Sequence, residues 1–261
     1  MSEPLSSYLR SHFPSSFHRA TTHPFLIAAG SGTLSKKTLS QWLSQDRLYA
    51  QSYVRFIGLL LSKIVFPPRN PRVSKPRIPS TEERIFHALT EALVNIRREL
   101  RFFEDTAVKY GLDLTAVPDL EGGEEEGKEG WKVFGPGFIT KAYIDLFMAA
   151  GSSGASLLEG LTVLWATEWC YLSAWRFARG HMKEGKDARE DRDGGALRKE
   201  FIPNWSSDEF EEFVVLIRDA MDELAGKLKG VEEIERERGK CLGWWRQVLW
   251  LEERFWPNVK E

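Results

Sequence analysis

The chain has 261 residues, 42% of them hydrophobic and ten of them tryptophan, which is enough apolar bulk for a sizeable core. A formal charge of −2 at neutral pH excludes the overall basic field that draws proteins to nucleic acid backbones or anionic membranes. Two isolated cysteines, Cys170 and Cys241, match neither a disulfide framework nor a zinc-ligand spacing, and they fit a reducing, cytoplasmic location.

The first residues, MSEPLSSYLRSHFPSS, are polar every two or three positions, unlike the apolar stretch of a signal peptide. His23-Pro24-Phe25 reads as a turn in which His23 fixes the backbone by a hydrogen bond. From Lys36 to Ile64 apolar residues recur at helical spacing, through Leu39, Trp42, Leu43, Tyr49, Tyr53, Phe56, Ile57 and Leu60. Pro67 to Pro79 carries five prolines, which rules out a regular helix. A second stripe runs from Thr81 to Tyr110, opened by Ser80 and Glu83 at capping-box spacing. Asp113 to Gly137 is rich in Gly and Glu. A shorter helix is expected from about Gly137 to Ala150, and a long one from Ser156 to Arg179. Gly180 to Glu200 is almost entirely charged and reads as a solvated loop. Ser206 and Glu209 open a helix running to about Leu228, with Trp205 and Phe210 at hydrophobic-staple spacing. A last helix spans about Val231 to Trp256. No alternating strand followed by a hairpin turn is found, and no apolar run is long enough for a membrane span. The fold class is therefore all-α, a single-domain helical bundle over residues 1–261 with irregular insertions near 67–79, 113–137 and 180–200.

The chemistry is expected where acids interrupt apolar stripes. Asp46 sits between Leu43 and Tyr49, Glu168 between Leu164 and Tyr171, and Glu252 between Leu249 and Trp256. The helices at 81–110 and 207–228 are read as keeping their acids off the stripe. An ionised carboxylate is costly to bury unless paired or hydrogen-bonded, and three of them meeting in one bundle push each other's pKa toward neutrality. Such groups suit general acid or base catalysis. The structural alternative is a set of core acids satisfied by Arg55, Arg176 or Arg246, or by Tyr and Trp donors. Tyr49, Tyr53, Tyr143, Tyr171, Trp175 and Trp245 are placed on the same faces, as walls for a flat, basic heteroaromatic ligand. Di-iron chemistry would want Glu-x-x-His pairs, and the chain has none. His18 and His23, at positions read as loops, are poorly placed for a haem iron.

Several segments, taken in order, resemble the TenA (thiaminase II) family. His23-Pro24-Phe25, Gly32-Thr33-Leu34 and Leu43 to Tyr49 (LSQDRLY) are similar to its N-terminal signature. Trp165 to Trp175 (WATEWCYLSAW) is similar to its central active-site helix, and Phe201 to Trp205 (FIPNW) and Leu251 to Trp256 (LEERFW) to its C-terminal motifs. The resemblance implies a haem-oxygenase-like bundle that uses no cofactor, and an enzyme of thiamin salvage. Such an enzyme hydrolyses an aminomethyl or formylaminomethyl pyrimidine, or thiamin itself, to hydroxymethylpyrimidine. It also implies that Asp46, Tyr49, Tyr143, Tyr171 and Trp205 are pocket residues and that Glu252 is the carboxylate at the pyrimidine edge. The family's nucleophilic cysteine falls on Thr167, next to Glu168, so the chain looks like the branch in which a glutamate replaces it, with Cys170 a small core residue. Glu168, Glu252 and Asp46 are then the catalytic candidates, with no metal. The partner is a small pyrimidine, with no nucleic acid and no membrane, and the family's habit implies a homo-oligomer. The alternative is a non-catalytic binding or regulatory protein on the same scaffold.

Overall fold

Every regular element of the computed structural model, which describes residues 3–68, 78–118, 133–182, 185 and 187–259, is helical. Three short helices come first: α1 (Leu5–Arg10), α2 (Pro14–Thr21) and α3 (Pro24–Ser31). They lack the length for an apolar stripe, and local chemistry sets them instead. Pro14 and Pro24 open α2 and α3 where the missing amide hydrogen costs nothing. The His23 ring Nδ1 accepts from the Phe25 amide, 3.2 Å away, as the expected turn required. His18 lies within α2, not in a loop.

The four long stripes become α4 (Lys36–Leu61), α5 (Thr81–Tyr110), α7 (Leu157–Gly180) and α10 (Val231–Phe255), with α6 (Phe138–Gly151) between α5 and α7. The capping box at Ser80 and Glu83 is formed, and Ser156 with Glu159 makes another ahead of α7. The helix expected from Ser206 starts one residue later. Ser207 caps α9 (Asp208–Ala225) by accepting from Phe210, while the Ser206 hydroxyl donates back to Ile202. Ser206 is still bound into the preceding α8 (Ile202–Trp205), so it is not free to cap.

α7 is the axis of the bundle and packs against α2, α3, α4, α6, α9 and α10. Its sequence allows this because its apolar residues extend round most of its circumference, from Leu158 to Ala178. Where α3 crosses it, Gly30 leaves no room for a Cβ, which would lie 2.1 Å from the Ala178 carbonyl oxygen. No helix among the described residues is long and apolar enough to cross a membrane.

The three expected insertions differ. Residues 69–77 and 119–132 lie outside the described residues. The described flanks of the second insertion are pinned to α4: Ser44 donates to the Ala116 carbonyl, and Gln45 bonds Gly135 and Gly137. The third is not a solvated loop where it is described. Residues 187–200 hold a 3-10 turn (Ala188–Glu190) and a π-helical turn (Leu197–Phe201) that runs into α8. Asp191 and Arg198 form a bidentate pair at 2.6 and 2.7 Å, both buried, and Asp193 accepts from the amides of Gly195 and Leu197. The charges that suggest solvent in the sequence pair with one another in the fold. The widened turn directly precedes Pro203, whose missing amide hydrogen already interrupts the regular ladder.

Removing one partner of a buried ion pair strands the other, so Arg198→Ala is expected to destabilise the protein by about 3–5 kcal/mol. Lys109→Ala, which removes the exposed bridge to Glu200 and an exposed contact with the Tyr110 ring, should cost less than about 1 kcal/mol. Chemical denaturation of both variants measures the contrast, and equal losses would show that 187–200 is not held by this pair.

Candidate active site

α4, α5, α7, α8 and α9 surround a cavity that is open to solvent. Three carboxylates from three helices line it: Asp46 of α4, Glu99 of α5 and Glu168 of α7. Asp46 is buried and accepts from the Tyr171 hydroxyl at 3.1 Å. Glu99 accepts a hydrogen bond from the buried Trp205 indole. Both Glu99 and Glu168 are half-buried. Tyr49, Tyr53, Thr167, Asn204 and Phe210 complete much of the wall.

Glu252 and Tyr143 stand differently from expectation. They do not line the cavity; they lie behind it, both buried, with the Tyr143 hydroxyl donating to Glu252. The Tyr49 ring, edge-on to Tyr143 at 5.1 Å, connects this buried pair to the cavity wall. Electrostatically Glu252 still belongs to the site, because its charge is felt by Asp46 and the charge of Glu168 acts on it. The tryptophans also sort differently. Trp175 and Trp245 are core residues, and Trp245 donates to the His12 carbonyl. Trp205 lines the cavity, held by an aromatic cage of Trp42, Trp175 and Phe201.

Glu99 corrects the expectation that α5 keeps its acids off the interior. The signal was present: Ile96, Glu99 and Phe103 are spaced three and four residues apart, which puts them on one helical face. Among the described residues no arginine pairs with the central acids. Arg176 pairs with Glu211, Arg246 lies over the Phe13 ring and Arg55 is exposed. The donors are neutral hydroxyl and indole groups. Among residues lining the cavity the one cation is Arg98, exposed at its rim.

Burial therefore dominates the titration of these groups. It lifts Glu99 to about 7 against the pull of the Trp205 bond and of Arg98. It lifts Glu168 to about 7, opposed by the nearby Tyr53 hydroxyl and helped by the charge of Glu99. Glu252 reaches about 8 through burial, opposed by Tyr143 and helped by Glu168. Asp46 is raised well above the usual carboxylate range, by burial first and then by the charge of Glu99. The Tyr53 hydroxyl is buried in the cavity wall and has no partner in hydrogen-bonding geometry, although it lies close enough to Glu168 to favour its charge.

Thr167, where the resemblance puts the nucleophile, lines the cavity, with its hydroxyl donating to the Leu164 carbonyl. Cys170 is buried in the apolar core, its thiol pushed well up by burial, and does not line the cavity. Arranged this way, the site can accept or deliver protons near neutral pH beside aromatic walls. Among the described residues no group of three His, Cys, Asp or Glu side chains is arranged to hold a metal ion.

Residues 9–65 match the model of the TENA/THI-4/PQQC family. A protein of Fusarium pseudograminearum named as a probable transcription factor is 31% identical over 92% of this chain, and the chain spans only 49% of that protein. A protein of Glycine max named as a probable bifunctional TENA-E protein is 21% identical, over 92% of this chain and 86% of its own length. Among solved structures, a TenA homologue from Pyrococcus furiosus superposes with a TM-score of 0.70 at 26% identity, covering 97% of this chain and 98% of its own.

Glu99, Glu168 and Glu252 all hold protons more tightly in the fold than in the unfolded chain, so the folded state carries the excess protons from the ordinary carboxylate range up to about 7 or 8. Stability is then greatest at the acid side of that window and falls as pH rises through it. The melting temperature of the ligand-free protein should drop between about pH 5 and about pH 8. Glu252→Gln should flatten the profile. A melting temperature that climbs across the window would show that these acids are not held protonated.

Proposed function

We propose that this chain, whose residues 9–65 match the TENA/THI-4/PQQC family model and whose helical bundle superposes on a TenA homologue, is a hydrolase of thiamin salvage acting on a 4-amino-2-methylpyrimidine with a nitrogen substituent on its exocyclic methylene. The observation that carries this reading is the set of near-neutral carboxylates from separate helices, hydrogen-bonded only by neutral donors around an aromatic cavity. Such a space suits a flat basic ring with several N–H and ring-nitrogen positions.

In the proposed mechanism the pyrimidine lies against Tyr49, Tyr171 and Trp205. Asp46 and Glu252, the latter through the Tyr143 and Tyr49 wall, bias the ring toward its protonated form. Protonation makes the substituent on the methylene a better leaving group. Glu168, on the cavity wall, takes a proton from water as the water oxygen bonds to the methylene carbon. It then returns that proton to the departing amine or formamide. One C–N bond breaks, one C–O bond forms, and hydroxymethylpyrimidine leaves. The chain takes the glutamate route because Thr167 stands where other members have cysteine, and a threonine hydroxyl is far less readily ionised than a thiol.

Purified protein is to be assayed with aminomethylpyrimidine, its formyl derivative and thiamin. The expected result is release of hydroxymethylpyrimidine, with Glu168→Gln and Glu252→Gln each reducing kcat/KM by roughly 10²- to 10⁴-fold and folding intact by circular dichroism. Binding without turnover for all three compounds would favour a regulatory binder. A fully active Glu168→Gln, Glu252→Gln double variant would refute the mechanism.

A further inference from the structure

Glu99 has no place in the mechanism above, yet it is the acid whose charge weighs most on Asp46, and it also acts on Glu168 and Tyr171. It forms no ion pair among the described residues. Its contacts are the Trp205 indole, the neighbouring Asn204 side chain and, at longer range, the exposed Arg98. Asp46 on α4 and Glu168 and Tyr171 on α7 line the same cavity. Glu99, Glu168 and Asp46 line one cavity whose lining cation is only the exposed rim residue Arg98, and the charge of Glu99 disfavours charge on the other two, so together they form a seat for positive charge. A second feature also indicates an occupant. The Tyr53 hydroxyl, 2% exposed and lining the same cavity, lacks a hydrogen-bond partner. A buried hydroxyl left this way costs free energy until a ligand satisfies it.

We propose that Glu99 is the residue that selects a positively charged substituent on the substrate, so that the preferred substrate is the free aminomethyl pyrimidine in its ammonium form and not the neutral formylamino derivative. The proposal rests on the pyrimidine-hydrolase reading and deepens it. Glu99 shares its stretch of α5 with Asn95 and the exposed Arg98 at the cavity rim. In the proposed pose the ring lies at Asp46, with Glu252 acting from behind the Tyr143 and Tyr49 wall, and its exocyclic arm is directed toward α5 and the mouth, where a leaving group can depart. A carboxylate there keeps the nitrogen protonated as its bond to carbon breaks, so that it leaves as ammonia. The water proton taken by Glu168 then completes ammonium. A neutral formamide gains nothing from Glu99 and must displace the protons the acid holds near neutrality.

The test uses two probes of nearly equal size: 4-amino-5-aminomethyl-2-methylpyrimidine, a cation, and its hydroxymethyl counterpart, which is neutral. Dissociation constants for the full chain come from tryptophan fluorescence at about pH 8, above the ionisation of Glu99 at about 7. The wild type should prefer the amine. Glu99→Gln, whose amide oxygen can still accept from Trp205, should weaken amine binding by roughly tenfold or more while the alcohol moves by less than about twofold. Glu99→Asp, which keeps the charge, should retain most of the preference. The kcat/KM ratio of amine to formylamine substrate should fall in parallel with Glu99→Gln. Equal weakening of both probes, or an unchanged ratio, would overturn the assignment while leaving the pyrimidine reading intact. A wild type that binds neither probe would overturn both.

Discussion

Carboxylates buried without a cation beside them constrain this bundle more than any other feature. A bare carboxylate in a protein interior is costly, and three of the four here are met by a neutral donor from a different helix. Tyr171 of α7 serves Asp46 of α4, Tyr143 of α6 serves Glu252 of α10, and Trp205 of α8 serves Glu99 of α5. Each bond therefore ties two helices together as well as satisfying an acid. A guanidinium partner would have fixed the acids as permanent anions. A hydroxyl or indole lowers the cost of the charge without abolishing the ability to take up a proton, and acids near neutrality are the outcome.

The rest of the fold can be understood as support for that arrangement. α7 runs through the centre and carries Thr167, Glu168 and Tyr171 on a stretch that is otherwise apolar, so the reactive part of the chain is also its most enclosed helix. The cage of Trp42, Trp175 and Phe201 fixes the Trp205 ring, and with it the indole that reaches Glu99. Behind the cage, the Asp191–Arg198 pair and the π-helical turn set where α8 begins. A charged segment remote from the cavity thus determines the position of one of its walls. Interiors built this way trade stability for chemistry, because the same volume filled with aliphatic side chains would cost less to bury.

Under the proposed function, replacing cysteine by Thr167 together with Glu168 is a change of chemistry at constant geometry. Adjacent residues on a helix lie about 100° apart, and both of these side chains line the cavity. A carboxylate one position along can reach the same space as the lost thiol, but as a base or acid toward water and not as a nucleophile.

The sequence by itself determined the long helices and their caps, because a stripe of apolar residues at helical spacing and a Ser-x-x-Glu box are local signals that packing had no reason to override. It also identified Asp46 and Glu168, since an acid in mid-stripe can only point inward. Local pattern gave no measure of depth or crossing angle. Glu99 shares a helical face with Ile96 and Phe103, but that spacing does not distinguish it from a solvated edge residue, and the tertiary fold is what brings it to the cavity and Trp205. Glu252 shares its stripe with Trp256, yet it lies behind the cavity wall, on Tyr143. Trp175 and Trp245 lie on the same stripes as the acids and end in the core, while Trp205, read as a helix staple, lines the cavity. The charged stretch around Asp191 and Arg198 read as solvent because pairing between charges is invisible until the fold brings them together, and that pairing is what tertiary structure decided.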